Sequence, residues 1–301
     1  MKTNSNDGLD IILEALFMPY RERVPDVQKI INAMVLHGII NDECDIVNDH
    51  IAFRSLGLPN LGIASFEKIF LHYGYQKKDY YYFEGKKLDA YWYSPPTEHY
   101  PRIFMSELRV SELSDEVQDI IRRYTQNITS DPIDEIDLDD TKEVGKFFYK
   151  PLWEIPSLAD YNTLADESEY AAWVIYNRYY LNHYTISVHD LPNAYNTIEK
   201  FNAFLESIQI KLNTSGGKIK ISKDGLLKQS STIAKMVAAE FKNGEKAQIA
   251  GSYVEFAERL PLPDQDGNKK ARGVERRREG FESANADKIF ESTYREQTKN
   301  M

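Results

Sequence analysis

The chain has 301 residues, 42% hydrophobic and 28% charged, the proportions of a globular protein with a sizeable core. Lys and Arg number 37 against 47 Asp and Glu, and the formal charge of −10 argues against nucleic acid or an anionic membrane as partner. The single cysteine, Cys44, excludes an intrachain disulfide or thiolate cluster, and the lack of a secretory-type leader or a long apolar run predicts a cytoplasmic protein without a membrane span.

Helical spacing predicts two opening helices, one through Leu9, Ile12 and Leu16 and a second through Val27, Ile30, Ile31 and Met34. Pro25 suits the first turn of the second and Gly38 its stop. A strand follows at 45–55, then a helix from Ile63 to Tyr73 closed by Gly74. Two aromatic-rich strands flank Glu84-Gly85-Lys86, and a further strand covers Arg102 to Val110. A helix at 114–125 completes a βαβββ block of about 45–125.

Residues 126–160 carry Asp131, Asp134, Glu135, Asp137, Asp139, Asp140 and Glu143, read as a solvated acidic connector. One helix at 164–180 leads into a second block of about 164–260 with the same order. Its elements are a strand at 182–188, a helix from Asn193 to Ile208, a hairpin turning at Asp224-Gly225, and strands at 227–241 and 247–258. A basic segment containing Lys269, Lys270, Arg272 and Arg276 to Arg278 precedes a last helix from Ala284 to Tyr294. The predicted fold class is α+β, a single metalloenzyme domain of paired βαβββ units forming a half-barrel with added helices, with a C-terminal segment 261–301.

Alternate strand residues face opposite ways. His50, Ala52 and Arg54 therefore share one face of their strand, and His183, Thr185 and Ser187 one face of theirs. Two imidazoles and a carboxylate from Glu255 make a donor set that leaves positions open for substrate and O₂, the pattern of non-haem Fe(II) sites. Glu107 holds, on this reading, the place in the first block that Glu255 holds in the second, as a fourth ligand, an orienting acceptor or a general base. Arg54 suits a substrate carboxylate through its bidentate fork. Gln229, Ser230 and Ser231 offer polar contacts to substrate, and His189 is the nearest rival to His183 as a ligand.

Three segments carry a family resemblance: Asn48-Asp49-His50-Ile51-Ala52-Phe53-Arg54, Asn182-His183-Tyr184-Thr185, and Tyr253-Val254-Glu255-Phe256. With Arg102 to Leu108 and Asn285 to Phe290, they resemble the 2-oxoadipate dioxygenase/decarboxylase family, related to the vicinal-oxygen-chelate and glyoxalase enzymes. The resemblance implies Fe(II) as cofactor, with Zn, Mn or Ni as substitutes, and a 2-oxo acid and O₂ as the small-molecule partners. It implies conversion of 2-oxoadipate to 2-hydroxyglutarate and CO₂ in lysine catabolism. It also implies metal ligands at His50, His183 and Glu255 and a substrate arginine at Arg54. The alternatives are a glyoxalase-like lyase or isomerase without redox chemistry, and a non-catalytic acid-binding protein on the same fold. Iron dependence and O₂ uptake separate them.

Overall fold

The computed structural model describes residues 7–263 and 276–299. Helices α1 (Asp7–Arg23) and α2 (Pro25–Leu36) open it, the second starting on the proline that fits a first turn. Strand β1 (Asn48–Leu56), helix α3 (Ile63–His72) and strands β2 (Gln76–Phe83), β3 (Leu88–Ser94) and β4 (Arg102–Leu108) follow as the periodicities predict. Helices α4 (Asp115–Thr125), α5 (Thr141–Phe147), α6 (Leu158–Glu167) and α7 (Glu169–Asn177) come next. The chain then runs through β5 (His183–Ser187), α8 (Ile198–Ser207), β6 (Lys220–Ile221), β7 (Leu227–Ser231), β8 (Met236–Glu240), β9 (Lys246–Ala250) and β10 (Tyr253–Arg259). Helices α9 (Ser283–Phe290) and α10 (Arg295–Thr298) end it. No described helix is long and apolar enough to cross a membrane.

Two compact units interleave along the chain. The first comprises the segment up to Pro25, His50–His183 and Lys235–Ser252; the second comprises Asp26–Asp49, Tyr184–Ala234 and the chain from Tyr253. Within the first unit the strand order is β2-β3-β4-β1, and within the second it is β5-β10-β7-β6. Each is thus a β-α-β-β-β sequence whose first and last strands are neighbours. β1 and β4 are parallel with His50 opposite Arg102, and β3 is antiparallel to β4.

In the first unit, Phe53 of β1 packs against Phe66 of α3, ring centroids 4.9 Å apart, and Phe70, Phe148 and Tyr179 extend the cluster. The odd-numbered face of β1 is therefore core, which leaves the His50 face for polar work. The acidic stretch is not a loose connector. Asp131 accepts from Ser65 and Lys68 of α3, Asp139 meets His72, and Asp140 caps α5. Between these contacts Ile133, Val144 and Phe147 are buried, so charge holds the segment's outer side while apolar residues anchor its inner one.

Two expected elements are broken. The helix predicted at 164–180 divides at Ser168, whose extended backbone ends α6 and whose hydroxyl accepts from Ala171 N–H to start α7. The strands predicted at 227–241 and 247–258 each split, and the end of the first pairs with the start of the second as the separate ribbon β8–β9. Asn243 and Gly244, at φ 72° and 78°, make its turn. The ribbon's Ala239, Phe241 and Ile249 pack with Leu158, Tyr161 and Tyr176 of the first unit.

In the second unit, β6 and β7 form the expected hairpin around Asp224-Gly225, with Lys220 opposite Gln229. Asp49 and Arg259, each 1% exposed, form a two-point ion pair of 2.6 and 2.9 Å. Arg259 also donates to the carbonyls of Arg278 and Gly280 and so fastens the C-terminal segment to β10. Of the basic segment, 269–275 lies outside the described residues. Arg277 donates to the Arg259 carbonyl and Arg278 meets Asp224 and Glu282, so these two serve local structure.

Candidate metal centre

Both histidines lie in the first unit. His50 is the third residue of β1 and His183 the first of β5, and the Asn182 N–H donates to the Ala52 carbonyl, holding the two segments side by side. Their Nε2 atoms are 3.4 Å apart and their rings meet edge to face at 85°. Both side chains are buried, at 1% and 5% exposure. The Nδ1 of His183 is 3.1 Å from the Asn182 side-chain oxygen. A carbonyl oxygen only accepts, so Nδ1 carries the hydrogen and Nε2 presents a lone pair toward His50. That is how an outer partner sets a metal-ligating imidazole.

Glu255, in the middle of β10, is 1% exposed. One ligand atom from each of His50, His183 and Glu255 lies within 4.8 Å of the others, a three-residue site able to hold a metal ion. The set of two imidazoles and one carboxylate fits a dioxygenase metal centre and leaves coordination positions for other ligands.

The carboxylate is held from behind. Gln229 Nε2 donates to Glu255 Oε1 at 2.6 Å, and Asn285 Nδ2 of α9 donates to Gln229 Oε1 at 3.0 Å. The second bond fixes which end of the Gln229 amide faces Glu255. Ser231 stands opposite Glu255 across the ladder, and its hydroxyl pairs with Ser292 at 2.8 Å. Gln229, Ser231 and Glu255 thus share a face. Asn285 belongs to a stretch already noted in the sequence, but its orienting role had no local signal, because it lies 56 residues from its partner.

Arg54 is 1% exposed, its guanidinium carbon 5.1 Å from the Tyr170 ring centroid and 5.2 Å from that of Trp173. Tyr170 is itself fixed: its hydroxyl pairs with Ser106 Oγ at 2.9 Å and accepts from the Ser55 N–H at 3.2 Å. Flanking aromatic faces restrict the guanidinium plane and stabilise its charge without neutralising it. Neither aromatic was anticipated, since α7 reads only as an apolar helix.

Two expectations about site residues are corrected. His50 is in register with Arg102, so Phe104 and Ser106 share its face while Glu107 points to the other. There Glu107 Oε2 accepts the Ile63 N–H at 2.6 Å, the first backbone donor of α3. A β-carbon at Gly62 would collide with that oxygen, which explains a glycine at this cap. Burial pushes the Glu107 carboxyl above its ordinary range against the opposing pull of that N–H. The counterpart of Glu107 in the second unit is not Glu255 but Glu258, whose Oε2 accepts the Ile198 N–H at 2.8 Å and starts α8 in the same way. Glu107 is therefore a helix cap, neither ligand nor base.

Ser230, next to Gln229 in β7, faces the opposite way. Its hydroxyl donates to Asn202 of α8 at 2.7 Å, so it belongs with the helix-side packing rather than with substrate. His189 is likewise no ligand: its Nδ1 accepts the Arg259 N–H at 3.2 Å.

The sequence model of the 2-oxoadipate dioxygenase/decarboxylase family matches residues 12–272. The chain is 43% identical over 268 residues to the chloroplastic 2-oxoadipate dioxygenase/decarboxylase of Arabidopsis thaliana, covering 85% of this chain and 70% of the relative. The crystal structure of hydroxyglutarate synthase from Oryza sativa in complex with 2-oxoadipate is similar at a TM-score of 0.86 and 38% identity, covering 99% of this chain and 95% of that one. A glyoxalase superfamily protein of Ralstonia eutropha, 21% identical, shares the fold at a TM-score of 0.67 over 83% of this chain and 82% of its own. The Arabidopsis relative is named as a plastid protein, which overturns the cytoplasmic location expected from the sequence. With a family match over most of its length and a donor set suited to the chemistry, the chain is an enzyme that belongs to the 2-oxoadipate dioxygenase/decarboxylase family.

Proposed function

We propose that this protein is an Fe(II)-dependent dioxygenase that converts 2-oxoadipate and O₂ to 2-hydroxyglutarate and CO₂, a step of lysine catabolism. The observation that carries the reading is the convergence of His50, His183 and Glu255, buried and within 4.8 Å through one ligand atom each. The rice structure supports the substrate, being a complex with 2-oxoadipate at 38% identity. Atoms balance: the six-carbon acid loses one carbon as CO₂, and both oxygens of O₂ end in the products.

His50, His183 and Glu255 would hold the ferrous ion, which when bound would supply Lewis-acid and redox chemistry toward the 2-oxo acid and O₂. The Asn182 side chain keeps His183 in the tautomer that presents Nε2. Gln229 holds the Glu255 carboxylate in place. Arg54, stacked by Tyr170 and Trp173, binds a substrate carboxylate; its orientation is fixed before substrate arrives, so little rotamer freedom is lost on binding. Burial of the donor set keeps bulk water away from the reacting acid.

The test is turnover by protein stripped of metal and reloaded with Fe(II) without air, then given 2-oxoadipate and O₂. The expected products are 2-hydroxyglutarate and CO₂, lost in His50→Ala and Glu255→Ala. Turnover by the stripped protein overturns the reading, and metal-dependent turnover that needs no O₂ overturns it in favour of a lyase.

A further inference from the structure

Lys220 is a buried cation that the site described above does not use. It pairs with Gln229 across the β6–β7 hairpin, which puts it on the face of Gln229, Ser231 and Glu255. Its side chain is 4% exposed. A lysine ammonium has three donors, yet the hydrogen bond found here goes to a neutral acceptor, the Asn213 carbonyl at 2.9 Å. That carbonyl is held still, because the Asn213 amide donates to the Lys288 carbonyl and Ser292 Oγ.

Among the described residues no carboxylate lies within ion-pair distance of Lys220. Glu255 and Glu291 act on it through space, but Glu255 is taken by Gln229, and Glu291 by Ser215 and Lys288. A buried charge facing neutral acceptors is costly, and burial lowers the Lys220 ammonium to about 8, still mostly protonated at neutral pH. The backbone positions of Lys220 and Glu255 are two strands and two residues apart, about 12 Å at the usual spacings. On that face Gln229, paired with Lys220 across one ladder and hydrogen-bonded to Glu255, links the two positions.

We propose that Lys220 binds the carboxylate at the far end of the 2-oxo acid and so selects dicarboxylic over monocarboxylic substrates. The inference rests on the metal-centred reading above, in which Glu255 marks where the keto end sits.

The experiment compares two ligands in Zn(II)-loaded protein, where binding is read by calorimetry without turnover: 2-oxoadipate and 2-oxohexanoate, which has the same chain length and no far carboxylate. A hydrogen-bonded charge pair in a buried site predicts a wild-type preference for the diacid of roughly 10–100-fold. Lys220→Met should remove most of that preference while leaving 2-oxohexanoate binding unchanged, and Lys220→Arg should retain part of it. A Lys220→Met protein that keeps the full preference, or weakens both ligands by one factor, overturns the proposal. If Lys220→Met does not fold, the same comparison is made between Lys220→Arg and Lys220→Gln, and equal preference in the two overturns it. Wild-type protein that binds Zn(II) but neither acid refutes the functional reading itself, a result distinct from a change confined to position 220.

Discussion

Replacing Gln229 with Leu should weaken metal binding without unfolding the protein. Leu removes the 2.6 Å donor to Glu255 Oε1 and leaves the Asn285 amide, 3.0 Å from the lost oxygen, without that acceptor. Gln229 and Glu255 are 2% and 1% exposed, so water does not readily replace the bond. A hydrogen bond to a buried charged group contributes about 1.5–3 kcal/mol, and tenfold in affinity corresponds to about 1.4 kcal/mol. The expected loss is therefore roughly 10–100-fold in metal affinity, the range found when outer partners of metal ligands are removed. The assay is competition for Co(II) between the protein and a chromophoric chelator, with thermal unfolding of the metal-free proteins run beside it. Ser230→Ala is the control, since Ser230 is adjacent in sequence but faces Asn202; its metal affinity should match wild type. Asn285→Ala should cost several-fold, because it frees the Gln229 amide to turn over. Wild-type affinity in Gln229→Leu, or an equal loss in Ser230→Ala, would refute the reasoning.

Glu107→Gln should lower stability by about 0.5–2 kcal/mol as a weakened helix cap and leave metal affinity unchanged; a large loss of metal would restore Glu107 to the site. Burial lowers the His189 imidazole below its ordinary pKa, and its Nδ1 accepts the Arg259 N–H, which only the neutral ring can do. The folded state then binds fewer protons than the unfolded one between the lowered value and the ordinary value of about 6.5. Stability should therefore be level above that pH and fall below it; His189→Gln should flatten the fall, as melting curves from pH 7 to pH 5 will show.

The strands, their faces and the three residues that converge on the candidate site were legible because a period of two is local: it needs only neighbouring residues in one strand. Register between strands is not local. Their places in the last strand of each block suggest that Glu107 matches Glu255, yet the pairing of His50 with Arg102 turns Glu107 to the helix side, and its counterpart is Glu258. Ser230 was a slip within one strand, since parity already separates it from Gln229. Lys220 was readable in principle: a hairpin centred on Asp224-Gly225 pairs residue 220 with 229. Ser168 shows the opposite limit, where an apolar helical period continued through a residue whose hydroxyl makes a better cap than a helix interior. The roles of Tyr170, Trp173 and Asn285 depend on contacts far along the chain, which no local pattern carries.

The most direct test of the central claim follows the oxygen. Fe(II)-loaded protein is given 2-oxoadipate under ¹⁸O₂, with O₂ uptake, CO₂ release and the isotopic content of the 2-hydroxyglutarate measured together. The account predicts one CO₂ per O₂ consumed, with label in the hydroxy acid and no turnover in His183→Ala. Product formed without O₂ uptake, or hydroxy acid carrying oxygen from water alone, would contradict it.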